Sequence, residues 1–197
     1  IAHSALTGIA IGLLLQIDPF LSALVFALLV AAAIAVVRTK SVLPLDTLLG
    51  VFFSAAVALG VILVQLTPGY QADLMSFLFG DILTVSGIDV WITLAVAIVS
   101  ALTLLLAGKS FISIAFNSDL AKVEGTAVNR YELIFLLLLA GVIALAIKLA
   151  GVILVSALLI IPAATAYNVS YSLISMIVGS FLVSVTSVSV GMMLSAA

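Results

Sequence analysis

Cysteine is absent from these 197 residues, which removes disulfides, thiolate metal sites and thiol nucleophiles together. Charge is nearly as scarce. Asp, Glu, Lys and Arg make up 7% of the chain, against roughly a quarter in soluble domains, while 66% is hydrophobic. Such a chain cannot keep its apolar surface from water by folding into a globule, so lipid is its solvent. The net charge of −2 comes with no basic patch, which leaves nothing for nucleic acid to grip. There is one histidine, His3, and no nucleophile-base set, Walker motif or clustered-ligand spacing, so the chain by itself is not expected to catalyse a reaction or hydrolyse ATP.

Apolar runs fill the chain instead. Residues 20–37, 47–66, 90–107 and 171–197 reach or approach the roughly 20 residues a bilayer crossing requires. Residues 1–17, 133–147 and 149–161 are shorter and bring the count to about seven, which predicts an all-α, polytopic transmembrane helical bundle. Residues 3–17 would cover only about 22 Å of a roughly 30 Å hydrocarbon core, and the last run stops at Ser195-Ala196-Ala197 without a flanking charge. The chain therefore reads as one transmembrane domain, 1–197, cut at both ends.

Basic residues set the orientation. Arg38 and Lys40 follow the second run, and Lys109, Lys122 and Arg130 lie between the fourth and fifth, which assigns both loops to the cytoplasm. The Asp18-Pro19 turn and the 67–89 connection carry no Lys or Arg and fall on the opposite side. Lys148 is then expected to snorkel to the outer interface beside a short hairpin turning near Gly151. The small pairs Gly8/Gly12, Gly50/Ser54 and Ser187/Gly191 suit close helix packing in lipid.

Two ionisable groups sit in apolar surroundings. Within 67–89, Leu74, Phe77, Leu78 and Ile82 make a helical stripe at i, i+3, i+4 and i+8, and Asp81 falls at i+7 of the same stripe. A carboxylate there is costly unless it caps a helix or faces a wet cavity. His3, with Thr7 one turn on, is either a packed, hydrogen-bonded residue or a ligand on a substrate path. One imidazole makes no metal site without further histidine or carboxylate partners.

Residues 117–130, NSDLAKVEGTAVNR, form a polar island between membrane-length segments. Asn117 or Ser118 can cap a helix of under two turns, with Asp119 in its first turn and Gly125 at its end. Leu120 and Val123 would form an apolar knob inside a rim of Asp119, Lys122 and Glu124. A helix this short is not stable alone, so either a docking partner explains it or the island is a solvated loop.

Asp119-Leu120-Ala121, three residues, then Gly125 resembles the acidic-Ala-Ala-x-x-x-Gly motif of bacterial ABC importer permeases, with Asp for Glu and Leu for the first Ala. Further segments resemble the permease family of zinc, manganese and iron ABC importers: His3-Ser4-Ala5-Leu6 with Gly8 and Gly12, Asp46-Thr47-Leu48-Leu49-Gly50 with Phe53-Ser54, Phe79-Gly80-Asp81-Ile82-Leu83, and Gly151-Val152 leading through Ser156 to Ala166.

That resemblance, to an ABC-3 type metal permease, implies a fold like type II importer permeases, in the bacterial cytoplasmic membrane. It implies a cytoplasmic coupling helix over 117–126, with Asp119, Leu120, Ala121, Val123 and Gly125 meeting the ATPase. It implies a metal path including His3, whose family motif continues upstream with an Asp four residues before it, and Asp81 of the Phe-Gly-Asp segment. The partners implied are a dimer of cytoplasmic ABC ATPases, an extracytoplasmic metal-binding protein and a second permease copy. The divalent cation is substrate, and no cofactor is held permanently. A vitamin B12 or iron-siderophore permease would share the architecture but carry bulkier cargo. A secondary transporter would need more intramembrane charges and inverted repeats, and a structural assembly subunit would need neither His3 nor Asp81.

Overall fold

The computed structural model describes residues 2–66, 80 and 86–195, all of whose regular structure is helical. Seven helices follow one another: α1 (Ala2–Leu14), α2 (Pro19–Lys40), α3 (Leu45–Gln65), α4 (Gly87–Phe116), α5 (Ser118–Val123), α6 (Val128–Val169) and α7 (Leu173–Ser195). The stripe expected over Leu74, Phe77, Leu78 and Ile82, and Asp81 beside it, lie outside the described residues. Five helices are long and apolar enough to cross a membrane, and α1 is a shorter apolar helix. At 42 residues α6 would run to about 63 Å as one rod, twice a hydrocarbon core. It is two helices meeting at Gly151, whose φ of 74° and ψ of 161° are not helical. Divided there, and with α1 included, the described residues hold seven apolar segments.

Local chemistry sets the helix starts. The Asp18 carboxylate accepts from the Leu21 amide at 2.7 Å, with Pro19 at the first helical position of α2. Ser86 and Asp89 cap α4 reciprocally, each side chain accepting from the other's amide. α4 also ends nine residues later than its apolar run. Gly108 costs a helix only about 1 kcal/mol, no proline intervenes, and Phe111 holds the added turns edge-on against Tyr131, centroids 5.8 Å apart.

By contacts the chain forms two compact units, Ile1–Val152 and Ile153–Ala197. In the first, Ala27, Ala31, Ile34 and Ala35 of α2 meet Leu48 of α3 and Leu136 and Ala140 of α6 in one core. α1 lies on α2 at backbone range. A Cβ at Gly8 would stand 2.6 Å from Ala23 Cα and 2.8 Å from the Ser22 carbonyl oxygen. Ser22 Oγ donates to the Gly8 carbonyl at 2.6 Å, and Thr7 Oγ1 to the Ala56 carbonyl of α3 at 2.6 Å. Within the second unit the end of α6 and α7 approach where a Cβ at Gly179 would be 3.3 Å from Ala166 Cβ. Of the expected small pairs, Gly8/Gly12 is used for packing within the chain, whereas Gly50 and Gly191 face open space.

Gly8→Ala is therefore expected to lower stability despite alanine's helix propensity. Overpacking against backbone costs about 1–3 kcal/mol, and the propensity gain returns no more than about 1 kcal/mol. Gly50→Ala, with nothing within 4 Å, is expected to be neutral or mildly stabilising. Thermal unfolding of both variants in the same detergent separates the two outcomes.

Candidate functional site

His3 occupies the first turn of α1, its ring edge-on to Phe53 of α3 with centroids 4.6 Å apart. The two helices are held in register by the Thr7–Ala56 hydrogen bond and by Gly60, where a Cβ would come within 3.0 Å of Thr7 Oγ1. Beside this contact a groove of about 330 Å³ runs between α1 and α3, lined by His3, Leu6, Thr7, Val57, Gly60 and, at the end of α3, Gln65. Its walls are apolar, and its ligand-capable atoms are the His3 imidazole, the Thr7 hydroxyl and the Gln65 amide. Gln65 was not singled out by the sequence reading, although a polar residue closing an apolar span was signal enough. Among the described residues no three His, Cys, Asp or Glu side chains gather into a cation cage. Gly80, next to Asp81, stands at the break in α6, where a Cβ would be 2.6 Å from the Ala150 carbonyl carbon.

The polar island is ordered as a short helix. Asn117 rather than Ser118 caps α5, its side-chain oxygen accepting from the Asp119 and Leu120 amides at 3.0 and 3.1 Å. At the other end the Gly125 amide donates to the Lys122 carbonyl and the Thr126 amide to the Ala121 carbonyl, the paired bonds of a Schellman turn. That turn needs a left-handed residue, and Gly125 has φ +85°. Ala121 is wholly buried, whereas Leu120 is 61% and Val123 85% exposed. Two large apolar side chains thus stand out beside Asp119 and Lys122, which pair at 3.6 Å. Phe116, 78% exposed at the end of α4, adds apolar surface next to α5 that the sequence reading passed over.

Charged residues join α6 to neighbouring helices near its start and just before its break at Gly151. Lys148 does not simply reach for the interface: its Nζ donates to Asp89 Oδ1 at 2.5 Å and lies 4.9 Å from the centre of the Phe20 ring. Asp89 Oδ2 accepts from the Ser86 amide and hydroxyl, so the carboxylate is fully engaged although 7% exposed. At the end that carries α5, Arg38 Nε stands 3.9 Å from Glu132 Oε2. Pairings 59 and 94 residues apart leave no periodic trace in a single sequence.

The ABC 3 transport family model matches residues 1–197. The chain is 36% identical over 197 residues to the high-affinity zinc uptake system membrane protein ZnuB of Haemophilus influenzae, covering 100% of this chain and 75% of that protein. It is 37% identical over 177 residues to the manganese import system permease protein ScaB of Streptococcus gordonii, covering 90% of this chain and 63% of that one. The chain thus spans a little under two-thirds of the manganese permeases it matches. Among solved structures, PsaBC from Streptococcus pneumoniae in complex with Fab is similar with a TM-score of 0.77 at 36% identity, covering 100% of this chain and 70% of that chain.

Removing one member of the Asp89–Lys148 pair strands the other charge in an apolar setting, whereas removing both strands none. Asp89→Asn is therefore expected to lower the melting temperature in detergent and the amount of chain in membranes. Adding Lys148→Met to it is expected to recover most of both losses. Equal losses in the single and double variants would show that the pair itself, not the stranded charge, carries the effect.

Proposed function

This chain belongs to the ABC 3 transport family, and from that membership we infer that it is the membrane-spanning permease subunit of an ATP-driven importer for divalent zinc, manganese or iron. The observation that carries the reading is the likeness, over nearly the whole chain, to permeases named for zinc uptake and manganese import. ATP hydrolysis belongs to a separate cytoplasmic ATPase dimer, delivery to an extracytoplasmic metal-binding protein, and the pathway to a pair of permease copies. The membrane is the bacterial cytoplasmic one, with the end carrying Arg38, Lys40 and α5 facing the cytoplasm.

The parts of the chain have distinct tasks on this reading. α5, over 117–126 with its cap and turn, is the coupling helix, and exposed Leu120 and Val123 insert into the ATPase within the polar rim of Asp119 and Lys122. Ala121 and Gly125 hold that knob in place. His3 ligates the passing cation through an unprotonated imidazole nitrogen, and Asp81 contributes a carboxylate along the path. Few ligands suffice, because a transport site must release what it binds. A relay site of one imidazole with oxygen donors accepts all three metals, so discrimination falls to the delivering protein. Bulkier vitamin or siderophore cargo is disfavoured by the likeness to metal permeases.

Leu120→Asp leaves the Asn117 cap and the Gly125 turn intact and removes the knob. Co-purification of the ATPase with the full-length permease is expected to fall at least about tenfold, as for a central interface residue, with membrane levels unchanged. Undiminished co-purification would refute the coupling assignment. For His3, substitution by Ala and by Leu is expected to depress metal uptake into cells alike, with assembly intact. Parental uptake by the Leu variant would make the ring a packing element against Phe53.

A further inference from the structure

We infer that Arg38 and Glu132 are positioning residues that carry motion of α5 through α2 to His3. This rests on the reading of α5 as the coupling helix. The first observation is an unsatisfied donor. Arg38 Nε is buried and makes no hydrogen bond, although Glu132 Oε2 is 3.9 Å away and both side chains are largely enclosed, 24% and 13% exposed. A guanidinium facing a carboxylate ordinarily closes to about 2.7–2.9 Å, so the pair stands open by roughly 1 Å. Arg38 is otherwise anchored, with Nη1 donating to the Leu43 carbonyl at 3.3 Å. A buried donor left short of its partner calls for an explanation.

The second observation is the space beside the pair. Arg38 and Glu132 line an open groove of about 490 Å³, together with Leu45, Ile114, Ala115 and, in the first turn of α5, Ser118. Narrowing of that groove would bring the ends of α2, α4 and α6 together and let the bond form. The third observation is that each link on either side is short. α5 is joined to α6 through the Gly125–Thr126 turn, with α6 starting at Val128 and Glu132 on its second turn. Arg38 belongs to the last turn of α2, and α2 grips α1 through Ser22–Gly8 and the backbone packing of Gly8 on Ala23. α1 carries His3. A push on α5 therefore reaches Glu132, closes it on Arg38, and moves α2 and α1 together against α3, stretching the Thr7–Ala56 hydrogen bond and shifting the imidazole relative to Phe53.

The test uses the full-length permease assembled with its ATPase in proteoliposomes, reading Mn²⁺ and Zn²⁺ taken up per ATP hydrolysed. Glu132→Gln and Arg38→Gln are expected to keep the ATPase bound and lower that ratio by about 2- to 30-fold, the span of coupling changes seen at residues touching neither ligand. The double variant R38Q/E132Q strands no charge, so it assembles even if a single variant does not. A relay predicts a lowered ratio there too, whereas a mere staple predicts the parental ratio. The exchanged pair R38E/E132R is expected to recover at least part of the coupling. A parental ratio in the double neutral variant overturns the proposal, as does loss of ATPase binding in it. If Leu120→Asp leaves the ATPase bound, the coupling-helix reading falls; if it releases the ATPase while the charge variants keep the parental ratio, the relay alone falls.

Discussion

In hydrocarbon a polar group has no water to turn to, so its partner must be supplied by the protein itself. That constraint organises the first unit of this chain. It makes the described apolar segments helices, it sends the Thr7 and Ser22 hydroxyls to carbonyls on neighbouring helices, and it sets Lys148 on Asp89 rather than leaving either charge alone. Interhelical hydrogen bonds in membranes are individually modest, about 0.6 kcal/mol on average. Their value here is directional. Ser22 can reach the Gly8 carbonyl only because glycine lets α1 approach α2, so hydrogen bond and close packing define one geometry between them. Among the described residues two buried side-chain atoms depart from that rule, Ser100 Oγ and Arg38 Nε, and only the second faces an opposite charge.

Much of this was legible in the sequence because lipid imposes a simple rule. Runs of apolar residues near membrane length became α2, α3, α4 and α7 with ends shifted by a few residues, apart from the nine-residue overrun of α4, and Gly151 marked the break in the long apolar stretch that follows α5. The island at 117–130 yielded a capped helix ended at Gly125, because capping chemistry is local and carried by residue type. Pairings between distant residues were not legible. Lys148 was expected at the interface because a lone lysine in an apolar run offers nothing else to read; its carboxylate partner comes from a helix start 59 residues away. Small-residue spacing was equally ambiguous: Gly8 and Gly50 carry the same signal, yet one meets backbone and the other open space. The α4 overrun had a similar cause, since a single Lys109 does not end a helix that tertiary contacts through Phe111 extend.

α5 inverts the ordinary logic of a short helix. Six residues cannot sustain helicity from backbone bonds alone. Here the two ends are fixed by side chain and turn, Ala121 anchors the inner face, and the apolar residues are turned outward. Exposed Leu and Val on a polar loop lower solubility and add nothing to the fold, so their value lies in what they meet. On the proposed reading of α5 as a coupling helix, an apolar knob preorganised by its caps loses little entropy on docking, which is what a contact remade at every cycle needs.

The candidate metal path inverts expectation in the same way, with one imidazole, one amide and one hydroxyl along an apolar groove. A resident metal would demand a cage of three or four ligands, and none exists among the described residues. Each ligand added to a transport site deepens the well from which the cation must escape, and the escape barrier sets the turnover. On the proposed reading, His3 sits on a helix that is itself gripped by α2, which allows affinity to be set by helix position as well as by ligand number. Binding and release then require a shift of α1 against α3, which the interlocked α1 and α2 make together by stretching the Thr7–Ala56 hydrogen bond.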